Sequence, residues 1–120
     1  MEIPKLPFSL FRKSGDLVFL SGQIGLKDGR LVDGGVRPEL RQAVENVKNI
    51  LIGVNLTLQH VVAVEIFLIA LKEDYASMNE VYAELFTPPY PARTCVGVKE
   101  LPLGARIEIK VTASVGAREN

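Results

Sequence analysis

The residues with the clearest chemical potential are Arg93 and Glu108. Arg93 follows Pro88-Pro89-Tyr90-Pro91-Ala92 and leads into Thr94-Cys95-Val96. Prolines fix φ and cannot continue a helix, so this segment predicts a stiff loop. The loop delivers one arginine and the only cysteine to the mouth of a strand. A guanidinium is a rigid fork that meets a carboxylate with two parallel hydrogen bonds, so the placement suits capture of a planar anion. The competing assignment is a structural Arg93, paired with a protein carboxylate or reaching to water. Glu108 lies in a run where Ile107, Ile109 and Val111 alternate with Arg106, Glu108, Lys110 and Thr112. Strand alternation puts Glu108 on the face opposite the isoleucines. A carboxylate on that face needs a partner or a function; Arg106 and Lys110 on its own side are the candidate partners.

Other chemistry is sparse. Cys95 has no His near it in sequence, and an isolated Cys is most often a small core residue. His60 opens an apolar stretch and reads as structural. One His and one distant Cys make no metal cluster, so no metal is expected. There is no glycine-rich phosphate loop, and Ser21-Gly22 lacks the full nucleophile-elbow pattern. No cofactor is expected.

Composition narrows the partners. Fourteen basic and fourteen acidic residues cancel, so no global field draws in nucleic acid or an anionic membrane. The hydrophobic fraction of 48% and charged fraction of 23% are ordinary for a globular chain. A length of 120 residues favours one domain over 1–120. A single Cys fits a cytoplasmic setting. Met1-Glu2-Ile3-Pro4-Lys5 lacks the apolar region of a signal peptide, and no apolar run reaches the ~20 residues of a membrane span.

These residues need elements to hold them. Phe8 to Lys13 and Leu17 to Leu20 predict two strands around the turn signal Ser14-Gly15-Asp16. Asp28-Gly29 and Gly34-Gly35 punctuate the loop that follows. Leu40, Ala43, Val44, Val47, Ile50, Leu51 and Val54 form one helical stripe, with Pro38 near its start and Asn55 as a left-handed stop. His60 to Leu71 is almost continuously apolar around Glu65, which predicts a strand buried on both faces. Asp74 is placed as an N-cap for a second helix with the stripe Tyr75, Met78, Val81, Tyr82, Leu85 and Phe86. Thr94 to Val98 and Ala105 to Val115 predict the last strands. The order β-β-α-β-α-β-β is an α+β layout, one sheet with two helices on one face. Two helices cover only one face, so the second face of the 60–71 strand calls for another copy of the sheet and hence a homo-oligomer. The alternative is a monomer whose own loops fold over it.

Pro91-Ala92-Arg93-Thr94-Cys95 resembles the P-A-R-S-x signature of the reactive intermediate deaminases, the RidA or YjgF family. Leu17 to Ile24, Glu45-Asn46-Val47-Lys48, Asn79-Glu80-Val81-Tyr82 and Ile107-Glu108-Ile109 extend the similarity in order along nearly the whole chain. The resemblance implies a chorismate-mutase-like fold and a homotrimer whose three sheets form a central barrel, with active sites between subunits. It implies hydrolysis of 2-imino and 2-enamino acids to 2-keto acids and ammonia. By the same resemblance Arg93 binds the substrate carboxylate, the backbone at Cys95 contacts substrate, and Glu108 positions water or moves a proton. Ser21, Gly22 and Asn79 match cleft positions. Leu6-Pro7-Phe8 stands where the family usually has G-P-Y, so Phe8 occupies a substrate-binding position without the phenolic hydroxyl. Tyr90 stands where Phe is common.

Three functions follow from these residues. The first is an imine hydrolase in which Arg93 holds the substrate and Glu108 does the proton chemistry. The second is a module that binds keto acids or similar carboxylates without turnover, for which Arg93 serves equally well. The third, ribonuclease or translation inhibition, is ascribed to some relatives. Zero net charge, one His and no cluster of basic and aromatic residues argue against it.

Overall fold

A computed structural model describes residues 6–117. The Met1–Lys5 start lies outside them. The chain begins with a hairpin, β1 (Phe11–Ser14) and β2 (Leu17–Leu20). Ser14 faces Leu17 in register, so Gly15-Asp16 is a two-residue turn, and Gly15 takes the φ of +57° that such a turn requires. The first strand starts at Phe11 rather than Phe8; residues 8–10 form a bent lead-in. Asp28-Gly29, expected only to punctuate a loop, closes a second hairpin of β3 (Leu26–Lys27) and β4 (Arg30–Leu31). Both turn residues have positive φ, the requirement that makes Asp-Gly a hairpin signal.

Helix α1 spans Val36–Ile52 and α2 spans Leu71–Leu85. The α1 stripe buries Leu40, Ala43, Val44, Val47 and Leu51, as its three- and four-residue spacing requires. The chain leaves α1 through Gly53 and turns at Asn55, whose φ is +62°. Asp74 is not the N-cap of α2. Ala70 holds that position, and Asp74 lies inside the first turn, buried, with its carboxylate on Arg106 Nε at 2.9 Å. An acidic residue also suits the positive end of the helix dipole, so the same signal serves either position.

The remaining strands are β5 (Val61–Leu68), β6 (Ala92–Gly97) and β7 (Ile107–Ser114). The main sheet runs β1-β2-β7-β5-β6, antiparallel except for the β5–β6 pair. Two helices packed on one face of a mixed sheet are the α+β, chorismate-mutase-like layout expected. Val18, Leu20, Val64, Ile66, Leu68, Ile107, Ile109 and Val111 point to the helices and form the core with α1 and α2.

The opposite face carries no helix. Leu17, Phe19 and Val96 on it are each more than a third exposed. The burial of β5 on both faces is therefore absent within one chain: its core-facing residues are sealed, whereas Glu65 is exposed and Ala63 and Phe67 are half-buried.

Candidate functional site

Glu108 stands on the open face, directly across from Phe67 on β5. Neither expected salt-bridge partner reaches it. Lys110 pairs with Glu65 at 3.6 Å. Arg106 precedes β7 and turns to the helices, where it binds Asp74, with Glu73 at 3.6 Å from Nη2. No ion pair or hydrogen bond among the described residues engages the Glu108 carboxylate. Burial pushes its pKa up from the ordinary carboxylate value.

The carboxylate rests on Gly22. A β-carbon at residue 22 would stand 2.8 Å from the Glu108 carboxyl carbon, and closer still to Oε2. Gly22 is held there because Gln23 exchanges backbone hydrogen bonds with Ile109, at 2.8 and 2.9 Å. Ser21 is committed to structure: its hydroxyl donates to the Ser9 carbonyl at 2.6 Å and its N–H to the Leu10 carbonyl at 2.9 Å. These bonds pin the lead-in that carries Phe8. Phe8 is 58% exposed and lines an open cleft of about 430 Å³ with Phe11, Arg12, Phe19, Ser21 and Lys110.

Arg93 lies on the other face. It registers with Val64, a core-facing residue, and its half-buried side chain runs over α2. The guanidinium carbon is 4.8 Å from the Tyr82 ring centroid and 5.9 Å from that of Tyr75. Nη2 donates to Tyr75 Oη at 3.4 Å, and Nη1 contacts Met78 Sδ at 3.7 Å. No carboxylate among the described residues pairs with it. The tyrosines were legible only as part of a helical stripe; nothing in their spacing announced the arginine.

Cys95 follows Arg93 on the same side of β6 and packs against the core. Burial raises its thiol pKa, against the opposing pull of Arg93, which disfavours the nucleophilic thiolate. Its backbone differs. Val98 N–H donates to Leu68 O, toward β5. Backbone groups alternate along a strand, so Thr94 and Val96 also face β5 while Arg93 and Cys95 turn their N–H groups to the open edge of the sheet. Asn79 lies one turn beyond Tyr75 on α2, half-buried on the stripe that faces Arg93.

The site residues thus form two groups in one chain. Phe8, Ser21, Gly22 and Glu108 gather at the open face near β2 and β7. Arg93, Cys95 and Asn79 gather at the β6 edge and α2. Among the described residues no three metal-binding side chains converge, and no helix is long and apolar enough to cross a membrane.

Comparison with known proteins gives one answer. The family model described as endoribonuclease L-PSP matches residues 2–115. The mitochondrial protein mmf2 of Schizosaccharomyces pombe is 40% identical over 111 residues, covering 90% of this chain and 87% of that protein. A 2-iminobutanoate/2-iminopropanoate deaminase of Dermatophagoides farinae is 41% identical over 106 residues, covering 87% and 82%. The crystal structure of RidA from the Antarctic bacterium Psychrobacter sp. PAMC 21119 superposes with a TM-score of 0.87 at 32% identity, over 93% of this chain and 91% of that one. With the signature around Arg93, the two-helix sheet and these relatives in agreement, the chain belongs to the endoribonuclease L-PSP family, the family of the RidA and YjgF proteins.

Proposed function

We propose that the protein hydrolyses small 2-imino acids, and their enamine tautomers, to 2-keto acids and ammonia. The observation that carries this reading is Arg93: a half-buried cation at a sheet edge with no carboxylate partner among the described residues. An uncompensated guanidinium beside the outward Cys95 N–H is a receptor for a carboxylate. The deaminase named among the relatives acts on substrates with such a group.

In one chain Arg93 and Glu108 lie on opposite faces, so a complete site needs two copies. The open sheet face with Leu17, Phe19 and Val96 supplies the apolar surface for that contact. A homotrimer that buries the three open faces together would bring the β6 edge of one chain to the Glu108 group of the next.

Arg93 then fixes the substrate carboxylate and holds the C=N carbon in place. Glu108 orients a water molecule toward that carbon. Water adds across C=N, one proton moves to nitrogen through the carboxylate, and the resulting carbinolamine collapses to the keto acid as ammonia leaves. The raised pKa of Glu108 suits a group that both accepts and returns a proton, a role worth ~10²–10⁴-fold. The imine is already electrophilic, so these residues supply orientation and proton transfer without further groups.

Phe8 favours a second reading, carboxylate binding without turnover, because the ring offers no hydroxyl to water or substrate. Ammonia release from freshly generated 2-iminobutanoate and 2-iminopropanoate separates the two. Acceleration over the uncatalysed rate establishes the hydrolase. Binding of 2-oxobutanoate with no acceleration establishes the sensor.

A further inference from the structure

Arg93 is surrounded by groups that orient it without neutralising it. Its guanidinium lies over Tyr82 and beside Tyr75, 4.8 and 5.9 Å from the ring centroids. A cation within about 6 Å of an aromatic face is attracted by the ring quadrupole. Tyr75 Oη accepts from Nη2 at 3.4 Å, and Met78 Sδ stands 3.7 Å from Nη1. Helical spacing of three and four residues puts Tyr75, Met78 and Tyr82 on one side of α2, under the β6 edge.

The contacts reach different parts of the group. The Tyr82 ring stands 4.8 Å from the guanidinium carbon, the Tyr75 hydroxyl accepts from one nitrogen, and the Met78 sulfur, a weak acceptor, meets the other. A protein carboxylate in the same place would also hold Arg93, but it would occupy the fork that a ligand must use. Aromatic faces hold the cation and leave its charge available.

We propose that Tyr75 and Tyr82 are positioning residues that hold the Arg93 fork at the open edge of β6, oriented but not neutralised, for the carboxylate of a 2-keto or 2-imino acid. This deepens the function proposed above and rests on it. The two tyrosines act through different atoms. Tyr82 is 6% exposed and its hydroxyl has no hydrogen-bond partner among the described residues, so its ring is the working part. Tyr75 is 43% exposed, and its hydroxyl makes the contact.

The test is calorimetric titration of the full chain with 2-oxobutanoate, alongside thermal unfolding and steady-state imine hydrolysis. The variants are Arg93→Ala, Tyr75→Phe, Tyr82→Phe and Tyr82→Leu. Tyr82→Phe keeps the ring and should bind like wild type. Tyr82→Leu should weaken binding about five-fold or more, the scale of a lost cation–π contact. Tyr75→Phe should weaken it about three-fold. KM should rise by matching factors with kcat within about two-fold, because the carboxylate anchor serves ground and transition states alike. If Arg93→Ala abolishes binding while Tyr75→Phe and Tyr82→Leu bind like wild type, the positioning role is overturned and the Arg93 site stands. If wild type does not bind, or Arg93→Ala binds equally well, the carboxylate reading falls and takes this proposal with it. Should Tyr82→Leu unfold, Tyr75→Phe decides, since removing a half-exposed hydroxyl leaves the packing intact.

Discussion

The Glu108 carboxylate rests on the backbone of Gly22, in space that any side chain at residue 22 would occupy. The obstructing atoms are the end of a flexible side chain, so a methyl group there displaces the carboxylate instead of breaking the sheet. Gly22→Ala should therefore fold, with a melting temperature near that of wild type, and lose most imine turnover. Wild-type rates in a folded Gly22→Ala variant would show that the position of Glu108 against Gly22 is irrelevant to the chemistry.

The open face makes a prediction about assembly. Leu17, Phe19 and Val96 leave an apolar surface on the sheet face that the helices do not cover. Sedimentation at micromolar concentration should return a particle of three 13.2 kDa chains. A particle of one chain would sink the composite site, because Arg93 and Glu108 cannot meet within a single copy. Phe19→Glu puts a charge on that face and should shift the particle toward monomer while the helix-side core stays intact.

Much of this was legible in the sequence, for a physical reason. Periodicity reports which face of an element is buried, and the α1 stripe and the β7 alternation do so here, whereas the α2 stripe buries Met78, Val81 and Tyr82 but leaves Tyr75 43% exposed. That alternation alone placed Glu108 away from the helices. What periodicity does not report is which distant residue comes to lie beside a given side chain. Strand alternation alone makes Arg106 a neighbour of Glu108 on a continuous strand. The strand begins only at Ile107, and Arg106 instead turns to Asp74, while its backbone N–H donates to the buried Glu39 carboxylate at 2.8 Å. Burial raises the Glu39 pKa against the pull of that N–H. The cradle of Tyr75 and Tyr82 around Arg93 was hidden in the same way, since tyrosines on a helical stripe look like core. The Asp28-Gly29 hairpin leaves little trace in the periodicity, because its turn signal lies between strands of only two residues each.

Arg93 should tolerate no conservative replacement. Lysine keeps the charge but presents a point in place of a fork. Arg93→Lys should fold and bind 2-oxobutanoate poorly. Arg93→Ala should lose roughly 2–5 kcal/mol of carboxylate binding, the range for truncating one partner of a buried charge pair. Calorimetric titration checks both, and unchanged affinity in both would make Arg93 structural.

Glu108→Gln separates shape from proton chemistry. The amide should bind 2-oxobutanoate almost normally and lose ~10²-fold or more in imine turnover. Its stability should also respond to pH. Burial raises the folded-state pKa of Glu108 above its unfolded value. The stability it contributes is then fully present below the unfolded pKa and is lost as pH rises through the folded one. Relative to Glu108→Gln, wild type should therefore lose stability as pH rises through that window. Urea midpoints of both proteins between about pH 4 and pH 8 check the sign. A difference that is flat with pH, or that moves the other way, would mean the carboxylate has a compensating partner in the assembled protein.

Phe8 decides how much of the family's usual chemistry this chain retains. The ring is 58% exposed and lines the cleft beside Ser21 and Lys110, so a hydroxyl added to it reaches solvent or ligand without displacing core atoms. Ser21 fixes the approach of the segment through its bonds to Ser9 and Leu10, which makes the ring's position independent of the hydroxyl. Phe8→Tyr should leave the melting temperature unchanged and raise imine turnover or leave it equal. A rise confined to kcat would mean that the hydroxyl acts on the reacting atoms. A fall in KM at constant kcat would mean that it adds only binding. Lower turnover in a fully folded Phe8→Tyr variant would show that the cleft is shaped for the bare phenyl ring and that the missing hydroxyl is a feature of this protein's specificity.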